Sequence, residues 1–108
     1  MTRQDLNHGA QLAQSMHASL EFFNTYPELT KEWIKNSSYL VCLSAKDESD
    51  LEALYKKAKE RNIVVVEFRE PDFNYELTAL CFEPTLEAKK LCSSIPLALK
   101  ERKEVAHV

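Results

Sequence analysis

Two apolar runs in the second half of the chain constrain the fold most, because they follow each other with no helix between them. Residues 63–68 are rich in β-branched side chains, which suit a pleated surface, and residues 77–82 form the next run. Residues 71–74 between them read Pro-Asp-Phe-Asn, a cluster typical of a turn. Since parallel neighbours need a crossover of about a dozen or more residues, the sequence predicts an antiparallel pair.

A third apolar run, residues 39–44, lacks polar alternation, which is typical of a central strand covered on both faces. The spacing of apolar residues and capping residues predicts helices over residues 11–24, 30–36, 47–61 and 85–91. Strands and helices of these lengths predict one α/β domain over residues 1–99. Residues 100–108 form a charged tail.

The first predicted helix carries an apolar face and a polar stripe beside it. The apolar face consists of Leu12, Ala13, Met16, Leu20 and Phe23. The polar stripe consists of Gln14, His17 and Glu21. His17 and Glu21 are spaced to pair, and a carboxylate there would favour the protonated imidazole. A hydrogen-bonded filler at the helix edge is the other interpretation of His17.

Composition excludes several classes of site. Gly9 is the single glycine, and phosphate-cradling nucleotide loops need several. The three cysteines are far apart without a Cys-x-x-Cys pair, so the sequence predicts neither a zinc site nor a redox dithiol, and no cofactor. Their odd number and the lack of a membrane-spanning stretch favour a cytoplasmic protein. A net charge of -3 does not favour broad attraction to nucleic acid or membranes.

The start of the chain carries a motif with a family resemblance. The motif reads Arg3-x-Asp5-Leu6-x-x-Gly9 and then Ala13-Gln14-x-x-His17-Ala18. It resembles the opening motif of the type II peptidyl-tRNA hydrolases, the archaeal and eukaryotic family, and residues 78–84 resemble that family's final strand and closing turn. The resemblance implies a three-layer sandwich with a mixed sheet of three to four strands and helices on both faces. It also implies hydrolysis of the ester that joins a peptide or amino acid to tRNA, with the tRNA 3′ end as partner.

The resemblance also implies a set of site residues. His17, Asp72 and Thr78 are the catalytic candidates, with His17 or Asp72 orienting a water molecule and Thr78 as a hydrogen-bonding partner. The candidates for substrate binding are Gln14, Asn74 and Tyr75.

Two departures from the family pattern leave a second function open. Ala10 stands where the family has a functional lysine, and the family's Asp-x-Gly-Arg-Thr-Gln loop is contracted to residues 72–76. The alternative to an enzyme is therefore an inactive binding module of the same fold, which contacts protein partners through Phe73 and Tyr75. Because the first strand is a stub near residues 2–5, or begins upstream of the start used, we also expect an open sheet edge and a homodimer.

Overall fold

The computed structural model describes residues 1–100, and the tail predicted over residues 100–108 lies outside that range except for Lys100. The strands are β1 (Thr2–Arg3), β2 (Ser44–Ala45), β3 (Val65–Glu70) and β4 (Glu76–Phe82). The helices are α1 (His8–Thr25), α2 (Pro27–Asn36), α3 (Glu48–Glu60) and α4 (Leu86–Leu91). The α/β class is confirmed. None of the helices in residues 1–100 has the length and apolar character to cross a bilayer.

Strands β3 and β4 form an antiparallel pair, as predicted. Phe68 pairs with Ala79 and Arg69 pairs with Leu77, so the register skips Thr78. This is a β-bulge, an irregularity that redirects a side chain and is common beside active sites. The bulge also brings Leu77 and Leu80 to one face of the pair.

The strands form two pairs, which differs from the predicted sheet of three to four strands. β1 pairs in parallel with β2, and β3 pairs with β4. The backbone groups of Met1 and Leu80 nevertheless exchange two hydrogen bonds of 2.7 and 2.8 Å. These bonds hold β1 beside β4 although β1 is too short to continue the ladder.

Helices pack on both faces of the β3–β4 pair. Leu77 and Leu80 belong to the main hydrophobic cluster together with Leu51 and Leu54 of α3. The opposite face includes Phe68 and contacts α1. The predicted layer arrangement therefore holds around β3 and β4.

The prediction of a central strand over residues 39–44 is wrong for most of that run. In the register of β1 and β2, Thr2 pairs with Ser44 and Arg3 pairs with Ala45, and no residue before Ser44 has a paired residue in β1. Tyr39, Leu40 and Val41 are exposed, at 77%, 72% and 52%. An apolar run indicates burial only where a neighbouring element covers it.

The prediction that this segment forms a helix, α1, was correct, but the predicted buried face was wrong. The buried side chains are Gln11, Gln14, Ala18 and Phe22, while Leu12, Met16 and Leu20 are exposed. Both sets have helical spacing, so periodicity alone does not select between them. The tertiary partners select instead, because Gln14 bonds Glu70 of β3 and Thr78 of β4, while Gln11 bonds the carbonyl of Leu6.

Candidate active site

Thr78 lies in the bulge of β4 and is fully buried against α1. Its Oγ1 donates a hydrogen bond of 2.6 Å to Oε1 of Gln14 and lies 3.3 Å from the carbonyl oxygen of Phe68. The carbonyl of Thr78 accepts a 2.9 Å bond from Oγ1 of Thr2. A bulge residue held at both its side chain and its backbone has a defined orientation.

Gln14 links Thr78 to a carboxylate at the end of β3. Its Nε2 donates a 2.9 Å hydrogen bond to Oε1 of Glu70, while its Oε1 accepts the bond from Thr78. The second carboxylate oxygen of Glu70 accepts a 3.3 Å bond from the backbone N–H of Asp72. Thr78, Gln14 and Glu70 therefore form one hydrogen-bonded chain across α1, β3 and β4, which we call the Thr78–Gln14–Glu70 network.

Glu70 carries the negative charge of this network. The hydrogen bond from Gln14, followed by the backbone bond from Asp72, holds the pKa of the Glu70 carboxyl below its usual value. The charge of His17 acts in the same direction. Glu70 is therefore ionised at neutral pH and electrostatically coupled to the imidazole.

His17 lies one helical turn after Gln14, with its ring stacked on Phe68. The ring centroids are 4.5 Å apart and the planes differ by 7°. Its side chain is exposed, and no ion pair with Glu21 occurs among the described residues, unlike the predicted pairing. Phe68 is thus a shared neighbour: its ring supports His17 and its carbonyl faces the Thr78 hydroxyl.

The remaining sequence candidates lie in the β3–β4 connection. Asp72, Asn74 and Tyr75 are exposed, and Asn74 and Tyr75 adopt the left-handed region with φ of 54° and 62°. Within residues 1–100, no hydrogen bond of the Asp72 carboxylate is found; only its backbone N–H reaches Glu70. The structure brings Gln14 and Thr78 into direct contact and places His17 nearby, stacked on Phe68. Asp72, Asn74 and Tyr75 lie exposed in the β3–β4 connection.

Sequence reasoning missed Glu70 and Phe68. A signal was available, because alternation along a strand places residues 68 and 70 on the same face, and Pro71 marks the strand end. The family resemblance indicated Asp72 instead, because it is the first aspartate after the strand. The carboxylate in contact with Gln14 is two residues earlier.

The guanidinium of Arg3, a buried cation, is already paired. The Arg3 guanidinium bonds Asp5 at 2.8 and 2.9 Å, Glu76 at 2.8 Å and the carbonyl of Leu77 at 3.1 Å. The bond to Asp5, with that to Glu76, raises the pKa of Arg3 above its usual value despite its burial. Arg3 therefore fastens β1 to the start of β4 and has little capacity left for a polyanion.

The family comparison agrees with the motif at the start of the chain. A family model described as Peptidyl-tRNA hydrolase PTH2 matches residues 1–92, which confirms the resemblance drawn from the sequence. No curated protein matches the chain. The matched range includes α1 and the whole β3–β4 pair, and so every residue of the network.

Proposed function

Since the chain belongs to the peptidyl-tRNA hydrolase PTH2 family, we propose that it hydrolyses the ester between a peptide or amino acid and tRNA. The observation that carries this proposal is the Thr78–Gln14–Glu70 network, which joins a buried hydroxyl to an ionised carboxylate beside an exposed imidazole. An imidazole exchanges a proton near neutral pH, as ester hydrolysis requires.

In the proposed reaction, His17 takes a proton from a water molecule. The water oxygen forms a bond to the ester carbonyl carbon, and the bond from that carbon to the ribose oxygen breaks. The imidazolium then returns the proton to the departing ribose oxygen, while the negative charge of Glu70 stabilises the imidazolium in the interval. Gln14 and Thr78 hold the Glu70 carboxylate in position.

We propose Glu70, rather than Asp72, as the carboxylate of this site. Glu70 contacts Gln14 through one oxygen and the N–H of Asp72 through the other. The contribution of Asp72 is then its backbone N–H, which helps keep Glu70 ionised. Asn74 and Tyr75, exposed in the same connection, remain our candidates for contact with the substrate.

A binding module without hydrolysis is the second candidate. The observation that favours it is the environment of Arg3, whose guanidinium is bound by Asp5 and Glu76 while Ala10 stands at the family's lysine position. A site with few free cations gives weak attraction to the tRNA backbone and weak stabilisation of a developing oxyanion.

The test is cleavage of a labelled peptidyl-tRNA by the full chain and five variants. We expect Thr78→Val, His17→Ala and Glu70→Gln each to lower kcat about 100-fold, the lower end of the usual effect of a positioned acid or base. Asp72→Asn retains most activity, because its backbone N–H is unchanged. Glu87→Gln, an exposed carboxylate on α4, is the matched control. If the unaltered chain cleaves no peptidyl-tRNA, only the function as a binding module remains. If Asp72→Asn loses activity and Glu70→Gln does not, Asp72 rather than Glu70 is the carboxylate of the site.

Two further expectations stay predictions. The exposed apolar side chains of Tyr39, Leu40 and Val41 support the homodimer, since a contiguous exposed apolar patch is typical of a protein–protein contact. A monomer mass in solution at micromolar concentration would contradict it.

The thiols of Cys42, Cys81 and Cys92 are all free, which supports a reducing, cytoplasmic setting.

A further inference from the structure

The imidazole of His17 is held in place without a hydrogen bond to the chain. Within residues 1–100, no hydrogen bond of either of its nitrogens is found, although Gln14 on the same helix bonds both Thr78 and Glu70. The side chain of His17 is exposed, so burial does not restrict its rotamer either. A catalytic imidazole is commonly oriented by a hydrogen bond from one ring nitrogen to a carboxylate. In this chain, the contact that remains to define the plane of the ring is its stack on Phe68.

The stack fixes the ring of His17 and leaves its nitrogens accessible. The two ring centroids are 4.5 Å apart and the planes differ by 7°, which is the geometry of stacked aromatic rings. Both nitrogens of an imidazole carry their proton or lone pair in the plane of the ring, so a neighbour against one face does not obstruct them. Phe68 therefore sets the plane in which His17 can accept or donate a proton, and it closes one face of the imidazole to a substrate.

Phe68 itself has a defined position on β3. Its carbonyl oxygen lies 3.3 Å from the hydroxyl of Thr78, and the strand register becomes irregular directly after it. The same face of β3 presents Glu70, whose carboxylate accepts the bond from Gln14. Helix α1 therefore contacts this strand face at two points, one turn apart: the amide–carboxylate bond and the ring stack. The first contact fixes the helix on the strand, and the second fixes the imidazole.

We propose that Phe68 is a positioning residue of the candidate active site, and that its ring, rather than a hydrogen bond, orients the His17 imidazole for proton transfer. This inference rests on the proposed function, since proton transfer requires a ring nitrogen to point at the reacting oxygen. The charge of Glu70 stabilises the imidazolium through space. It does not set the plane of the ring, because the hydrogen bonds of Glu70 go to Gln14 and to the N–H of Asp72.

The first test needs neither a substrate nor a change at Phe68. Protons that lie over the face of an aromatic ring resonate upfield. In the NMR spectrum of the full chain, the ring protons of His17 should therefore be shifted upfield and should show nuclear Overhauser effects to the ring of Phe68. Their absence from the spectrum of His17→Gln identifies them among the three histidines. Ring protons of His17 without both effects would overturn the proposal.

The second test compares two changes of Phe68. Phe68→Leu removes the ring and keeps an apolar side chain, whereas Phe68→Tyr keeps the ring. We expect Phe68→Leu to lose the upfield shift of His17 and to lower kcat for peptidyl-tRNA about 10-fold with KM nearly unchanged, which corresponds to one aromatic stack. Phe68→Tyr should retain both the shift and most of kcat.

Phe82→Leu is the matched control for packing. Phe82 is also a half-buried phenylalanine of the β3–β4 pair, but it packs against the main hydrophobic cluster. Its loss should change neither the His17 signals nor kcat. An equal loss of kcat in the two leucine variants, or an equal loss in Phe68→Tyr and Phe68→Leu, would mean that Phe68 contributes only packing.

The outcome is separable from that of the proposed function. If the chain cleaves peptidyl-tRNA and Phe68→Leu cleaves it at the unaltered rate, the positioning role is overturned and the proposed function stands. If the NMR signals are as expected and the unaltered chain cleaves nothing, the proposed function is overturned together with the role in proton transfer, while the orientation of His17 by Phe68 stands.

Discussion

Gln11 and Gln14 lie three residues apart on α1, and each is 5% exposed, yet their surroundings differ. Both polar atoms of the Gln14 amide are paired, with Thr78 and with Glu70. The Gln11 amide has one partner, Leu6, and an unpaired oxygen. The Gln14 amide therefore ties α1 to β3 and β4, whereas the Gln11 amide ties α1 only to the loop that precedes it.

The strongest test of this contrast is to replace each glutamine with methionine, which has nearly the same shape and no hydrogen-bonding amide. Gln14→Met should lower kcat for peptidyl-tRNA about 100-fold, because the Glu70 carboxylate loses its positioning bond. Gln11→Met should leave kcat nearly unchanged, because the hydrogen bond of Gln11 goes to Leu6 and to no residue of the Thr78–Gln14–Glu70 network. Steady-state kinetics separate the two, and a similar loss of kcat in both variants would erase the distinction.

The same pair of variants should differ in stability. Gln14→Met loses two hydrogen bonds, one to a charged group, so we expect a loss of about 2 kcal/mol in the free energy of unfolding. Gln11→Met loses one bond but also removes an unsatisfied buried oxygen, so the net change should stay within about 0.5 kcal/mol. Urea unfolding at neutral pH measures both. A larger loss for Gln11→Met would mean that its bond to Leu6 matters more to the fold than the Thr78–Gln14–Glu70 network.

The contrast also shows which parts of the fold the sequence could reveal. Strand β3 and helix α3 were predictable, because Val65 and Leu51 belong to runs whose apolar pattern matches their burial. The orientation of α1 was not, since the two partners of Gln14, Glu70 and Thr78, lie more than fifty residues away in the sequence. Hydrophobic periodicity describes one element, whereas the partner of a buried amide is a property of the assembled fold.

The candidate site likewise contains residues that the sequence indicated and others that it did not. His17, Gln14 and Thr78 were found through a motif and a strand match, and the structure brings two of them into direct contact. Glu70 was missed because its role depends on the bulge at Thr78, which sets how β3 and β4 align beneath α1. Strand alternation places Glu70 on the same face as Phe68, but one skipped residue in a strand register carries no signal in a single sequence.

The smallest expected effect is the change in the free energy of unfolding at acid pH that comes from Glu70, the partner of Gln14. The pKa of Glu70 is lowered in the folded state from its usual 4.5, so its contribution to stability is present above that value and is lost as the pH falls through the folded pKa. Glu70→Gln should therefore be less stable than the unaltered chain at pH 6, and the difference should shrink as the pH falls through the folded pKa of Glu70. Because Glu70 is partly exposed to solvent, which screens its charge, the difference in urea midpoint at pH 6 should be small. Gln11→Met should show no such convergence, because no titrating group bonds its amide. A difference for Glu70→Gln that does not shrink with falling pH would show that the loss comes from packing rather than from charge.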